Sequence, residues 1–259
     1  MKLENFRETW YDASSRTAIT LVDVRAAAQA LARGHLSGPV ASRCLADALA
    51  TAALLFGESD LEDESLSIQM KCSGPLGGYN VECTAGGKLR GYTEKKLLEE
   101  FDGMGAADDK AVIGKSSIQV TRSVPGKILA QGIAPDAASY LRDSLQRRAV
   151  IAVESAVSDE VEVLQARGAM VETMPDGDVS RLPSVMGSLS GASRTILGRL
   201  GFANAELRST SPLGFGCRCS PERAASMLAA LGEDERKGMP ETIDITCHMC
   251  GRTFSVRNR

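Results

Sequence analysis

Four of the seven cysteines in this 259-residue chain fall in two tight pairs, Cys217-Arg218-Cys219 and Cys247-His248-Met249-Cys250-Gly251, with 27 residues between the pairs. A short pair places two sulfurs on one turn, facing the same way. Two such pairs brought together offer four thiolates in a tetrahedron, the geometry of a closed structural zinc site. The expected ligand set is therefore Cys217, Cys219, Cys247 and Cys250, holding one Zn2+. His248 lies between two of these cysteines, but a knuckle projects its cysteines, so His248 is not expected to bind the metal. The spacing C-x-C-x27-C-x-x-C differs from the commonest zinc patterns. A reduced, metal-free cluster or a pair of disulfides is the alternative that the cysteines alone leave open.

The flanking residues must position the two pairs. Ser220 can cap a helix, Pro221 suits its first position, and Glu222 favours its positive end. Ala224, Met227, Leu228 and Leu231 recur at helical spacing, and Gly232 is a stop. Ile243 and Ile245 before Cys247, and Phe254 and Val256 after Cys250, alternate with polar residues. They predict a hairpin with the C-x-x-C-G knuckle at its turn. So small a unit cannot hold itself together by apolar burial alone, and a metal is the usual remedy.

The run Phe215-Gly216-Cys217-Arg218-Cys219-Ser220-Pro221-Glu222-Arg223, the Leu231-Gly232 stop, and the closing Cys247-x-x-Cys250-Gly251 with Phe254 resemble the 33-kDa heat-shock proteins. Gly74-Pro75, Leu89-Arg90-Gly91-Tyr92 and the Gly132 to Tyr140-Leu141 stretch extend the resemblance over most of the chain. The resemblance implies a redox-regulated, ATP-independent holdase that captures unfolded client proteins, often as a dimer on activation. Ser144-Leu145-Gln146 stands where the family usually has Ser-Glu-Gln. Ala166-Arg167-Gly168 stands where it has Ala-Gly-Gly, and the linker before the cysteines is short.

Thirty Lys and Arg against 33 Asp and Glu leave a net charge of −3. The chain from Gly214 onward carries seven basic and six acidic residues. Neither balance suggests a nucleic-acid partner. Hydrophobic residues make up 43%, enough for a real core. No apolar run approaches the roughly 20 residues that span a membrane. Met1-Lys2-Leu3-Glu4-Asn5-Phe6 lacks the apolar segment of an export signal, so a reducing cytoplasm is expected. There, paired cysteines mean metal or redox chemistry rather than stable disulfides.

In chain order, Ile19 and Leu21-Val22 predict a first strand and residues 23–32 a helix, with His35 solvated in the loop after it. Residues 37–56 predict a second helix with one apolar stripe. The alternating Leu66, Ile68, Met70, Cys72 and Tyr79, Val81, Cys83 predict a hairpin, with Cys72 opposite Tyr79 and Cys83 opposite Ile68. Cys72 and Cys83 then lie roughly 13 Å apart on one face, too far for a disulfide. Together with Cys44 they are expected to be small buried residues. The glycines at 86–87 form a turn, since no phosphate-binding spacing surrounds them. Thr93 caps a short helix to Phe101, and residues 102–109 are loop without calcium-loop spacing. Strands at 117–121 and 127–130, a helix at 135–148, a strand at 149–153, and two strands within 161–174 turning at Arg167-Gly168 complete a first domain. Hairpins and separate helices without regular alternation predict an α+β fold with mainly antiparallel sheets, over residues 1–176. Residues 177–213 predict a weakly helical linker broken near Gly191, then a loop at 209–212. Residues 214–259 form the zinc domain.

Zinc binding stabilises small modules by about 10–16 kcal/mol, comparable to the whole stability of a domain. Oxidation that forms Cys217–Cys219 and Cys247–Cys250 would expel the metal and unfold the tail. Arg218, Arg223 and Arg252 are the cations expected to stabilise the thiolates. A linker packed against the tail would open and expose Leu182, Val185, Leu189, Ile196 and Leu200, the candidate client-binding residues. Two other classes compete. One is a zinc-ribbon binding module with a fixed metal and no redox control. The other is a thiol oxidoreductase using Cys247 and Cys250, although that motif normally opens a helix after a strand. With only His35 and His248 in the chain, histidine-based catalysis is poorly supplied, and no enzyme activity is expected.

Overall fold

The structure is a computed structural model describing residues 5–57, 59, 61–102 and 108–258. Most of the loop expected at 102–109 therefore lies outside the described residues. The chain runs β1 (Phe6–Asp12), β2 (Thr17–Asp23), α1 (Arg25–His35), α2 (Pro39–Phe56), β3 (Ser65–Cys72), β4 (Gly78–Thr84), β5 (Lys88–Thr93), α3 (Asp109–Ile113), β6 (Ser116–Val124) and β7 (Lys127–Ala134). It continues with α4 (Ala137–Ser139), a π-helical turn (Tyr140–Ser144), β8 (Ala149–Val157), β9 (Val163–Thr173), a 3-10 turn (Val179–Arg181), α5 (Ser193–Arg199) and β10 (Glu206–Pro212). The last part is β11 (Gly214–Phe215), α6 (Pro221–Ala229), α7 (Glu233–Arg236), β12 (Thr242–Thr246) and β13 (Thr253–Arg257).

Three sheets result, as the expected α+β class requires. One has five antiparallel strands in the order β10-β1-β2-β9-β8. Another has six in the order β11-β5-β4-β3-β6-β7, antiparallel except where β11 joins β5 in parallel. The third is the β12-β13 hairpin. Helix α2 packs against strands of both large sheets, and α1 lies beside it. The apolar stripe expected on α2 is buried, and the burial extends beyond it. Beside Val40, Cys44, Leu45, Ala48, Leu49, Ala52 and Leu55, the residues Ala46, Ala50 and Ala53 are buried too, because strands of both sheets and α1 pack on it, and only Pro39, Arg43, Asp47 and Thr51, one turn apart, stay half-buried. Among the described residues, α2 is also the one helix long and apolar enough to cross a membrane, and its apolarity is accounted for by this core position.

Several other expectations change. The β3-β4 register pairs Met70 with Tyr79 and Leu66 with Cys83, two residues away from the sequence reading. The connection is longer than a tight turn, since Ser73, Gly74 and Leu76 donate to the carbonyls of Lys115, Ile113 and Val112. A shift of two keeps every side chain on its expected face. Cys83 and Cys44 are buried as expected, and Cys72 is half-buried. The two strands sought in 161–174 are one strand, β9, with Arg167 and Gly168 in its interior, paired on both sides. Gly168 is there for packing, because a Cβ would stand 2.7 Å from Leu54 Cδ1. The helix expected after Thr93 is a series of turns. Their purpose is visible at Asp102, whose carboxylate accepts from Val40 N at 3.1 Å and Leu98 N at 2.9 Å. That caps α2, whose own N-cap is Gly38 without a side-chain acceptor. The helix expected over 135–148 is limited to α4 and the π-helical turn.

The linker is the largest departure. Residues 209–212, expected as loop, belong to β10, which pairs with β1 and closes the five-stranded sheet at that edge. Upstream of β10, Leu189, Ile196, Leu197, Leu200 and Phe202 are buried on the outer face of that sheet, against Trp10, Ile19, Leu21, Ala169 and Val171. Leu182 packs at the margin, while Val185 is 79% exposed. This apolar cluster contains no described residue of the cysteine-bearing tail. The expectation that the linker packs against the tail is thus corrected; it packs on the sheet.

Candidate metal centre

The sulfurs of Cys217, Cys219, Cys247 and Cys250 all lie within 4.8 Å of one another. Local rules assemble them as expected. Ser220 Oγ accepts from Arg223 N at 3.2 Å and starts α6, with Pro221 in its first turn. Cys247 and Cys250 sit in the turn between β12 and β13. Gly251 N returns to Cys247 O at 2.8 Å, and Cys247 N to Arg252 O at 2.8 Å. Ala224, Leu228 and Val256 form the module's own core, with Ile243, Ile245 and Phe254 around it. Three fully buried residues make a core too small to fold by itself.

Cys217 Sγ is 3.7 Å from Cys247 Sγ, and Cys219 Sγ is 3.4 Å from Cys250 Sγ. Four sulfurs at about 2.3 Å from one ion stand about 3.8 Å apart in a tetrahedron, so the arrangement fits a zinc-sized cation. The electrostatics agree. At Cys217 burial opposes ionisation, but the Cys219 amide and the Arg90 guanidinium outweigh it and bring the thiol down to about 7. Burial pushes Cys219 and Cys250 the other way. Four thiolates this close are not stable together without a cation among them. The four cysteines can therefore hold a metal ion, and an all-thiolate donor set is consistent with zinc. His248 stays outside, its ring edge-on to Tyr92 at 5.8 Å.

The cations are not those the sequence suggested. Arg90, from β5, donates to Cys217 Sγ at 3.7 Å. Arg218 instead reaches the buried Glu82 at 2.5 Å, a carboxylate that Arg90 also engages. Arg223 donates to the Arg218 carbonyl at 2.9 Å, and Arg252 stacks over Phe215. Arg90 was missed because it lies 127 residues from Cys217 in sequence.

The centre is docked on the large domain rather than tethered beside it. Cys250 is 2% exposed and belongs to the core cluster of the two large sheets. Gly91 N donates to Met249 O at 3.0 Å, and Gly216 N to Leu89 O at 3.0 Å. The knuckle meets the end of α1 so closely that a Cβ on Gly251 would stand 1.9 Å from Gly34 O. His35, expected in solvent, is the last residue of α1 and only 4% exposed. Its Nε2 lies 2.9 Å from Gly91 O. Burial beneath the knuckle holds its pKa below the usual imidazole value. A cleft of about 300 Å³ is lined by Met227, Ile245, Phe254 and two of the four cysteines, Cys219 and Cys247. The C-x-x-C turn opens no helix, and both its sulfurs belong to the four-sulfur cluster, unlike the arrangement an oxidoreductase needs.

Comparison with known proteins agrees. A family model described as Hsp33 protein matches residues 9–257. The 33 kDa chaperonin of Symbiobacterium thermophilum is 30% identical over 249 residues, covering 86% of this chain and 84% of that protein. A 33 kDa chaperonin of Thermus thermophilus is 29% identical over 257 residues, covering 86% of this chain and 75% of that protein. The crystal structure of the 33 kDa chaperonin from Thermotoga maritima superposes with a TM-score of 0.83 at 19% identity, over 98% of this chain and 95% of that one. The fold, the four-cysteine centre and the match along almost the whole sequence place this chain in the Hsp33 protein family.

Proposed function

We propose that this protein is a redox-regulated, ATP-independent holdase with one zinc per chain, in which residues 1–176 form the core, 177–213 the released segment and 214–259 the sensor. The observation that carries the reading is a pairing. A four-cysteine centre docks on the core domain, while a separate, loosely structured linker covers an apolar sheet face. The metal, when bound, holds the four thiolates together as a closed structural site. Peroxide takes two electrons from each cysteine pair, forming one S–S bond per pair while its O–O bond breaks to water. Neighbours are the expected partners, Cys217 with Cys219 and Cys247 with Cys250. Once the ligand set is broken, closing a loop over one or two residues costs far less chain entropy than closing one over about thirty.

Transmission to the linker runs along the backbone. Residues 213–216 connect β10, an edge strand on β1, to β11 and Cys217. If the knuckle leaves, β11 loses its hold on β5, and the pull falls next on β10 and the segment before it. Edge strands and segments held by few apolar anchors are the low-stability end of a structure. Release uncovers Trp10, Ile19, Leu21 and Val171, and frees Leu182, Leu189, Ile196 and Leu200 to join the already exposed Val185 as client contacts. Such an apolar face binds an unfolded chain or a second copy of the protein. The cytoplasm is the compartment in which this switch rests reduced.

The test is light scattering from a thermally unfolding model client, with and without peroxide, while a chromogenic chelator follows zinc. Suppression that appears only after peroxide, together with zinc release, is the expected result. Zinc retained under mild oxidant, with no suppression, would instead describe a fixed binding module.

A further inference from the structure

The linker is held on the sheet by more than apolar contact. At 188–191 its backbone passes over three adjacent strands, where Asp23 of β2, Arg167 of β9 and Glu154 of β8 stand side by side in register. Arg167 Nε donates to Asp23 Oδ2 at 3.0 Å, which fixes the guanidinium in place. Its Nη1 then donates to Leu189 O at 3.1 Å and also to Gly191 O. Glu154 accepts from Leu189 N, and from Ser188 Oγ at 3.2 Å. From the linker side, Arg199 Nη1 donates to Ser188 O at 3.0 Å and Ser190 O at 2.7 Å. One guanidinium and one carboxylate thus bind both polar backbone groups of Leu189, whose side chain is only 2% exposed on the sheet. Planar, charge-assisted donors of this kind are the strong hydrogen bonds of a protein, and they hold geometry as well as energy.

We propose that Arg167, acting with Glu154, is a latch that closes the 188–191 strap over the sheet and sets how readily the linker is released. The latch rests on the reading that linker release is what exposes the client surface, and it adds the residue that governs that step. Arg167 is a positioning residue: it touches the linker backbone and does not reach the metal ligands.

The test is hydrogen exchange in the reduced, zinc-loaded, full-length protein. Arg167→Ala is expected to speed exchange in peptides spanning 186–199 at least tenfold. Peptides from 40–56 and 217–250, and the zinc content, should stay as in the parent. Arg167→Lys keeps the charge but not the planar fork, and should fall between the two. Glu154→Gln, which keeps the strand and weakens only the acceptor for Leu189 N, should give a several-fold increase and serves if the alanine variant does not fold. Exchange at 186–199 within twofold of the parent in both Arg167→Ala and Glu154→Gln would overturn the latch, as would an increase shared equally by 40–56. Aggregation suppression by reduced Arg167→Ala is read separately. A strap that opens without client capture leaves the latch standing and sinks the linker-release mechanism instead.

Discussion

Replacing Gly251 by alanine drives a methyl group into the backbone of the large domain, and the consequence can be worked out. Gly251 has φ +73, and the new Cβ would lie 1.9 Å from Gly34 O and 2.9 Å from His35 N. Ordinary contact begins near 3.4 Å, so the knuckle must retreat by about 1.5 Å. A retreat of that size breaks the 3.0 Å bond from Gly91 N to Met249 O. The left-handed backbone costs an L-residue about 1–2 kcal/mol and the lost hydrogen bond about 0.5–1.5 kcal/mol. The total of about 1.5–3.5 kcal/mol is well below the roughly 10–16 kcal/mol of metal binding. The metal should therefore stay while the docking fails. At about 2–4 °C per kcal/mol for a protein of this size, the midpoint of thermal unfolding should fall by roughly 3–14 °C. Zinc affinity in chelator competition should barely move, and amide exchange should rise at 89–92 and 31–36. Gly86→Ala is the control, since Gly86 has φ +74 with nothing within 4 Å of its Cβ position. Equal losses of stability in the two variants would refute the argument, because the contact with Gly34 would then contribute nothing beyond backbone strain.

Cys217→Ser should lose its zinc or bind it far more weakly by metal analysis; unchanged stoichiometry and affinity would remove Cys217 from the ligand set. Cys44, Cys72 and Cys83 should be dispensable for oxidative activation. Burial pushes the Cys44 thiol up to about 12 and Cys83 up to about 11, and raises Cys72 as well, so none is a ready thiolate. Triple replacement by alanine or valine should lower the unfolding temperature but leave peroxide-dependent aggregation suppression intact. Asp47 gives a pH signature. Burial raises its carboxyl to about 6, outweighing the Ser155 hydroxyl and Arg43, the latter 3.9 Å away. The folded state thus prefers the protonated form, so Asp47 lowers stability as pH rises from about 4 through 6, with the full cost present above that. Asp47→Asn should flatten denaturant midpoints over that window and raise stability at pH 7 by about 1–3 kcal/mol. An unchanged pH profile would show that another group titrates there.

The metal centre was legible in the sequence because its chemistry is local. Two cysteine pairs, the Ser220 cap and the alternation about Cys247 each act within a few residues, and a ligand set needs only those types at those spacings. The α+β class and most elements followed from apolar periodicity in the same way. What the sequence left undetermined involves groups far apart along the chain. His35 reads as a loop residue until the knuckle covers it, and Gly251 reads as a turn former until Gly34 lies against it. Arg90 and Glu82 become part of the metal site only when β4 and β5 pass beneath Cys217 and Arg218. Gly168 mimics a turn because a glycine required by Leu54 overhead looks the same in sequence as one required by φ. The linker shows the same limit most clearly. Its weak helical pattern was visible, but its place on the outer sheet face, its closing strand β10 and its clasp by Arg167 and Glu154 depend on partners tens to hundreds of residues away. Local propensity cannot encode such pairings; they exist only after the sheets have formed.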